Sequence, residues 1–151
     1  MTPLTTVALT PVEAGRAVDA MGAAFASGEA ARVLGHFVDS DDIAYAGSEP
    51  GEVAVGRAAV ADLLADLFAR DERYDWHAAE VYVLPLGARA VVVAETTLRV
   101  TPIGDPARTV EHVPYRLSGL LEHDGVGWRW RTCQGAELLS PAEDVRYAPG
   151  D

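Results

Sequence analysis

The spacing of apolar residues changes once along this chain, near Tyr74, and that switch constrains the fold more than any other feature. Before it the period is helical. Thr10-Pro11-Val12-Glu13 reads as a helix start: Thr10 can accept from a backbone N–H, Pro11 has no N–H to leave unpaired, and Glu13 can reach back in a capping box. The helix that follows carries Ala17, Met21, Ala24 and Phe25 on one face and stops at Gly28. A second, shorter helix is expected from about Glu29 to Phe37, burying Val33, Leu34 and Phe37. The third is the clearest, because Val60, Leu63, Leu64, Leu67 and Phe68 fall on one face while Asp62, Asp66 and Arg70 face away.

From Tyr74 onward the period is two. Strands are expected over Tyr74 to Leu84, Ala88 to Val100, Thr109 to Glu122 and Trp128 to Glu137, and the short turn-rich connections between them make neighbours antiparallel. Helices first and a meander afterwards give an α+β fold, with three N-terminal helices covering a sheet. The run Ala88 to Ala94 is apolar at consecutive positions, so both faces of that strand should be buried. Helices can cover only one of them, and a second copy of the chain on the outer face, a homodimer, is the expected cover.

With 151 residues there is room for one sizeable core and not two. The expected organisation is an N-terminal arm over residues 1–9, a single domain over 10–139 and an irregular tail over 140–151, where Pro141 and Pro149 lie. A net charge of −11, no lysine and scattered arginines argue against nucleic acid and anionic membrane surfaces, which select clustered cations. Cys133 is the sole cysteine, so an internal disulfide and a cysteine-based metal site are both excluded, which fits a reducing compartment. The opening MTPLTTVALTP lacks the charged and apolar regions of a secretory signal, and the expectation is a cytoplasmic protein.

The stretch FVDSDDIAYAGSEPGEVAVG, Phe37 to Gly56, opens with aspartates around Ser40, becomes a short apolar strand and breaks at Gly47-Ser48-Glu49-Pro50-Gly51 before the third helix. With the C-terminal hairpin LLEHDGVGWRW, it resembles the SnoaL-like branch of the nuclear transport factor 2-like superfamily. The resemblance spans about Val12 to Glu137. It implies a strongly curved mixed or antiparallel sheet, a cone-shaped, cystatin-like α+β barrel around a deep apolar pocket, and it implies a homodimer. Activities that it implies are cyclisation, isomerisation or dehydration of a polyketide-like metabolite without a cofactor. The alternative is a non-catalytic ligand-binding or dimerisation module of the same shape.

Complete catalytic motifs are missing: the sequence has no phosphate loop, no zinc-ligand spacing and no nucleophile elbow. Asp39, Asp41 and Asp42 lack the further ligands of a calcium loop and read as a turn, so no metal site is expected. Steroid isomerases of this superfamily carry a catalytic aspartate at the place nearest Ala44 and an oxyanion-donating tyrosine near Met21, and neither side chain here can do that work. Of the four histidines, His36 and His123 read as surface residues. His77 is the first candidate acid or base and Glu95 the second, although Glu95 has a competing role as partner of Arg116 across the strands.

A small hydrophobic ligand would be held by Met21, Phe25, Tyr45, Phe68, Trp76, Tyr82, Tyr115, Trp130 and Gln134. Tyr115, Leu117, Gly119 and Leu121 share the pocket side of one strand, and Val92, Ala94 and Thr96 that of its neighbour. Trp76 is expected to share a face with Tyr74, Glu80 and Tyr82. On the last strand either Trp130, Thr132 and Gln134 or Arg129, Arg131 and Cys133 face inward, and the first set is preferred. Glu49 and Glu52 flank a Pro-Gly turn and read as solvated loop charges, with lining of a pocket mouth as the less favoured alternative.

Overall fold

A computed structural model of the chain describes residues 7–138. Three helices pack on a curved, unclosed six-stranded sheet, so the expected α+β architecture is the observed one. Helix α1 spans Pro11–Ser27, α2 spans Ala30–Leu34 and α3 spans Arg57–Phe68. The strands are β1 (Ala44–Ala46), β2 (Val53–Val55), β3 (Glu72–Leu86), β4 (Arg89–Pro102), β5 (Glu111–His123) and β6 (Trp128–Glu137), in the order β2-β1-β6-β5-β4-β3. All neighbours are antiparallel except β1 and β6, which makes the sheet mixed.

Local chemistry sets the helix ends. The Thr10 hydroxyl accepts from the Glu13 N–H at 3.2 Å and the Glu13 carboxylate accepts from the Thr10 N–H at 3.1 Å, completing the capping box. Gly28 ends α1 in the left-handed region at φ 68° and donates its N–H to the Phe25 carbonyl. Gly22 lets α1 approach the sheet, since a Cβ there would strike the backbone carbonyl of Trp76. The second helix is shorter than its apolar pattern predicts. It stops at Gly35, and Phe37 instead bridges to Trp130 beside β6, its ring fully buried.

Two single-residue irregularities shape the sheet. Between Ala78 and Glu80 the β3–β4 register slips, and between Leu120 and Leu121 the β5–β6 register slips as Arg131 is passed over. A bulge bends its strand and reverses the inside-outside alternation beyond it. Tyr74, Trp76 and Ala78 therefore turn toward the helices on β3, but Val81 and Val83 do so after the slip, leaving Tyr82, Leu84 and Leu86 exposed on the outer face. On β6 Trp130 points inward, and after the slip Cys133 follows while Thr132 and Gln134 point out.

The core lies between the helices and the inner face of β3 to β6. Ala90, Val92, Ala94, Thr96 and Leu98 alternate inward along β4 without interruption, opposite Leu121, Leu117 and Tyr115 of β5. The indole N–H of Trp76 donates to the Val18 carbonyl at 3.0 Å, tying α1 to the sheet inside this core. Leu9, on the segment expected to be an arm, is buried here too, whereas residues 1–6 and the expected tail over 140–151 lie outside the described residues. Among the described residues no helix is long and apolar enough to cross a membrane.

Candidate functional site

At the open end of the curved sheet the core does not close. A cavity of about 190 Å³ remains, walled by Phe25 of α1, Leu67 of α3, Tyr45 of β1, Trp76 of β3, Leu98 of β4 and Tyr115 of β5. The aromatic rings hold one another in place. Phe25 sits 5.6 Å from Tyr45, 5.6 Å from Phe68 and 4.8 Å from Trp76 between ring centroids, and Trp76 stacks on Tyr115 at 6.1 Å. Such rigid aromatic contacts keep a hollow from collapsing, because moving one ring disturbs its neighbours.

Two phenols aim at this space. Tyr45 is 5% exposed and Tyr115 is 4% exposed. Among the described residues the Tyr45 hydroxyl makes no hydrogen bond and no buried side-chain polar atom lacks a partner, so this hydroxyl is open to the cavity; the Tyr115 hydroxyl lies against Ser48. Burial pushes the ionisation of both phenols well above the ordinary tyrosine value, so both keep their protons and can donate them in hydrogen bonds at neutral pH. Gly135 makes room for Tyr115: a Cβ at that position would collide with the Tyr115 hydroxyl. That requirement is met from across the sheet, where Leu117 pairs with Gly135 and Tyr115 with Glu137.

The mouth is charged. Glu52 is 7% exposed; one carboxylate oxygen accepts from the Glu49 N–H at 3.0 Å and the other accepts from Arg70 Nη2 at 3.1 Å. Arg70 Nη1 also donates to the Tyr74 hydroxyl at 3.4 Å, and Tyr74 donates in turn to Glu72 at 2.5 Å. Partial burial, then the Glu72 carboxylate, push Tyr74 up to about 12. Arg108 reaches the other oxygen of Glu72 at 3.1 Å. Glu111 and Glu137 complete the rim, and among the described residues Glu137 accepts from the Ser48 hydroxyl alone, at 3.5 Å.

Four of the residues expected to hold a ligand, Phe25, Tyr45, Trp76 and Tyr115, come together on the cavity wall. Phe68 packs behind Phe25, and Met21 and Trp130 lie in the solid core rather than on the wall. Tyr82 and Gln134 are corrected by the two bulges: each stands beyond a register slip and faces away from the helices. His77 is on the outer face, 81% exposed at its side chain and 4.0 Å from Asp19. Glu95 is on that face as well, opposite Arg116, whose Nη2 donates to it at 2.8 Å. Ala44 turns away from the cavity, and the residue that β1 presents there is Tyr45.

Sequence reasoning missed Arg70, Glu72, Glu111 and Glu137. Glu111 was accessible by parity, since it is in phase with Val113 and Tyr115 on the uninterrupted part of β5. Glu137 was not, because its phase depends on the slip at Arg131. Arg70 follows the last turn of α3 and folds back over the mouth, a direction that helical periodicity does not encode. Among the described residues no group of three or more histidine, cysteine, aspartate or glutamate side chains is arranged to hold a metal ion.

Comparison with known proteins agrees with this architecture. The family described as SnoaL-like domain matches residues 15–134. Among solved structures, a candidate dehydratase of the nuclear transport factor 2-like family from Streptomyces avermitilis aligns with a TM-score of 0.67 at 16% identity, covering 86% of this chain and 96% of that one. A ketosteroid isomerase-like protein from Erwinia carotovora atroseptica aligns at 0.65 and 21%, covering 86% and 97%. A candidate calcium/calmodulin-dependent protein kinase II association domain from Xanthomonas campestris aligns at 0.68 and 18%, covering 91% and 98%. At these identities the likeness is one of fold. No curated protein matches the sequence.

Proposed function

This chain belongs to the SnoaL-like domain family, and we propose that it uses the family's cup to bind one small, largely apolar molecule. The observation that carries this reading is the 190 Å³ cavity, onto which the Tyr45 hydroxyl opens with no hydrogen bond to another side chain or backbone group among the described residues. A cavity of about 150 Å³ is enough for benzene. The enclosed part therefore suits one substituted ring, and a larger polyketide-like substrate would leave its remainder in the mouth.

In the catalytic form of this proposal the reaction is isomerisation, cyclisation or dehydration without a cofactor. The protonated phenols of Tyr45 and Tyr115 would stabilise a developing oxyanion, and a mouth carboxylate, Glu52 or Glu137, would move the proton. His77 and Glu95 have no route to a molecule bound there, since both project from the outer face. Engagement of Glu52 favours the second reading, a binding module without turnover, because both of its carboxylate oxygens already accept hydrogen bonds, from the Glu49 N–H and from Arg70.

A thermal-shift screen of single-ring compounds tests the binding itself, with a Val113→Phe variant that fills the cavity as control. Ligands that stabilise the native protein and lose their effect in the variant support the proposal. Equal effects on both proteins, or none on either, contradict it. Turnover of the compounds that bind, followed by mass spectrometry, separates enzyme from binding module.

We also propose that the outer sheet face joins two copies. Tyr82, Leu84 and Leu86 are each more than half exposed, and they stand beside Val93, Val91 and Arg89 in the β3–β4 register. This apolar row continues to Leu120, opposite Val91 on β5. Sedimentation of the purified protein should give a dimer, and Leu84→Lys should shift it to monomer; a wild-type monomer at micromolar concentration would remove the idea.

A further inference from the structure

Among the described residues five glutamates line the cavity mouth, Glu49, Glu52, Glu72, Glu111 and Glu137, against one arginine, Arg70. The hydrogen bonds divide them into two groups. Arg70 is committed to Glu52 at 3.1 Å and lies 3.6 Å from Glu49, and Glu72 is occupied by Tyr74 and Arg108. Glu111 and Glu137 face no cation among the described residues. Both are on the inner face, Glu137 directly opposite Tyr115 and Glu111 four positions before Tyr115 on β5.

We propose that the molecule held in this cavity is an organic cation of about one ring, its apolar end against Trp76 and Tyr115 and its positive end at Glu111 and Glu137. The inference rests on the reading of the cavity as a binding site and adds the charge of what it binds. Three observations point the same way. The mouth carries an excess of carboxylates over cations, and low-dielectric walls focus their field into the opening. The walls are aromatic, with Phe25, Trp76 and Tyr115 packed together, so they accommodate the ligand's ring and leave its charged end at the carboxylates of the mouth. Tyr45 is 5% exposed as a residue, yet its hydroxyl is open to the cavity; it supplies lone pairs that can accept from an ammonium N–H, and it has no partner among the described residues to compete.

An anionic ligand fits poorly, because the guanidinium of Arg70 on the wall is already shared between two carboxylates and a phenol. A neutral ligand would gain nothing from the carboxylates of Glu111 and Glu137, which stand exposed at the rim. Protonated amine on a short arm beyond a ring meets each requirement: size, ring faces and counter-charge.

Calorimetric titration at neutral pH and low salt with phenethylamine, phenethyl alcohol and 3-phenylpropionate tests this, as the three share a ring and a short arm and differ chiefly in charge. The amine should bind about tenfold more tightly than the alcohol and the carboxylate least of all, with the amine's advantage shrinking as salt is raised. In a Glu111→Gln/Glu137→Gln double variant the amine-to-alcohol ratio should fall toward one. If the alcohol or the carboxylate binds as well as the amine, the cavity remains a binding site and the inferred charge is wrong. If the amine preference survives in the double variant, Glu111 and Glu137 are not its source and the inference fails. If none of the three binds, both the charge and the binding reading fail together.

Discussion

Replacing Tyr45 by phenylalanine separates what this side chain does for stability from what it does for binding. A buried tyrosine hydroxyl usually makes a hydrogen bond, and deleting it costs about 1 kcal/mol. Here the hydroxyl is open to the cavity and has no partner among the described residues, while the ring keeps its contact with Phe25 at 5.6 Å in either variant. Removing an unpaired polar atom from the wall should leave stability unchanged or raise it by up to about 1 kcal/mol, which for a domain of this size is roughly 2–4 °C in Tm. Binding should move the other way. Loss of one hydrogen bond to the ligand is worth about 0.5–1.5 kcal/mol, or roughly 2- to 12-fold in Kd. Urea unfolding followed by tryptophan fluorescence gives the first quantity and titration with a cavity ligand the second. A variant destabilised by more than about 1 kcal/mol would show that the hydroxyl has a structural partner, and an unchanged Kd would show that it does not face the ligand; either result refutes the reasoning.

Other outcomes follow from the same geometry. Gly135→Ala should destabilise the protein by about 1–3 kcal/mol in urea, since the added methyl occupies the place of the Tyr115 hydroxyl; Gly135→Ala combined with Tyr115→Phe should recover part of that loss. Trp76→Phe removes the buried N–H to Val18 bond and part of a core ring, and should cost about 2–4 kcal/mol by the same measurement. Cys133 is fully buried and its thiol is pushed up to about 12 by that burial, so a thiol reagent at mildly alkaline pH should modify the unfolded chain and spare the native one. Cys133, Tyr45, Tyr74 and Tyr115 all hold their protons more tightly when folded, so the native state binds more protons than the unfolded state once pH exceeds about 9. Stability should therefore be flat with respect to these groups below that pH and fall between about 9 and 12; a stability that rises over this window would contradict their burial.

The parts of the fold visible in the sequence are those where a period runs unbroken. Uninterrupted alternation along β4 and β5 identifies Val92, Ala94 and Thr96, and Tyr115, Leu117 and Leu121, as inward residues, and the Glu95–Arg116 pair on the other face follows from the same parity. The cap at Thr10 and the stop at Gly28 are equally local, each set by residues within one turn. Tyr82 and Gln134 were misassigned because one extra residue in a strand reverses every later position, and neither Ala79 nor Arg131 has a side chain that announces a bulge. The aromatic half of the site was legible for the same reason that the strands were. Its charged half was not: Arg70 arrives from beyond a helix end, Glu52 is buried by a loop that folds under Arg70, and Glu137 lies past a bulge. Of the two catalytic candidates, His77 stands exposed on the outer face, where histidine ordinarily sits, and Glu95 is on that face paired with Arg116, the competing role that its parity indicates.

A crystal structure of the protein soaked with phenethylamine measures the central claim most directly. The account predicts density for one ring inside the hollow bounded by Phe25, Tyr45, Trp76 and Tyr115, with its polar end toward Glu111 and Glu137. An interior in which those four rings close on one another, or a ligand found only on the outer sheet face, would contradict it.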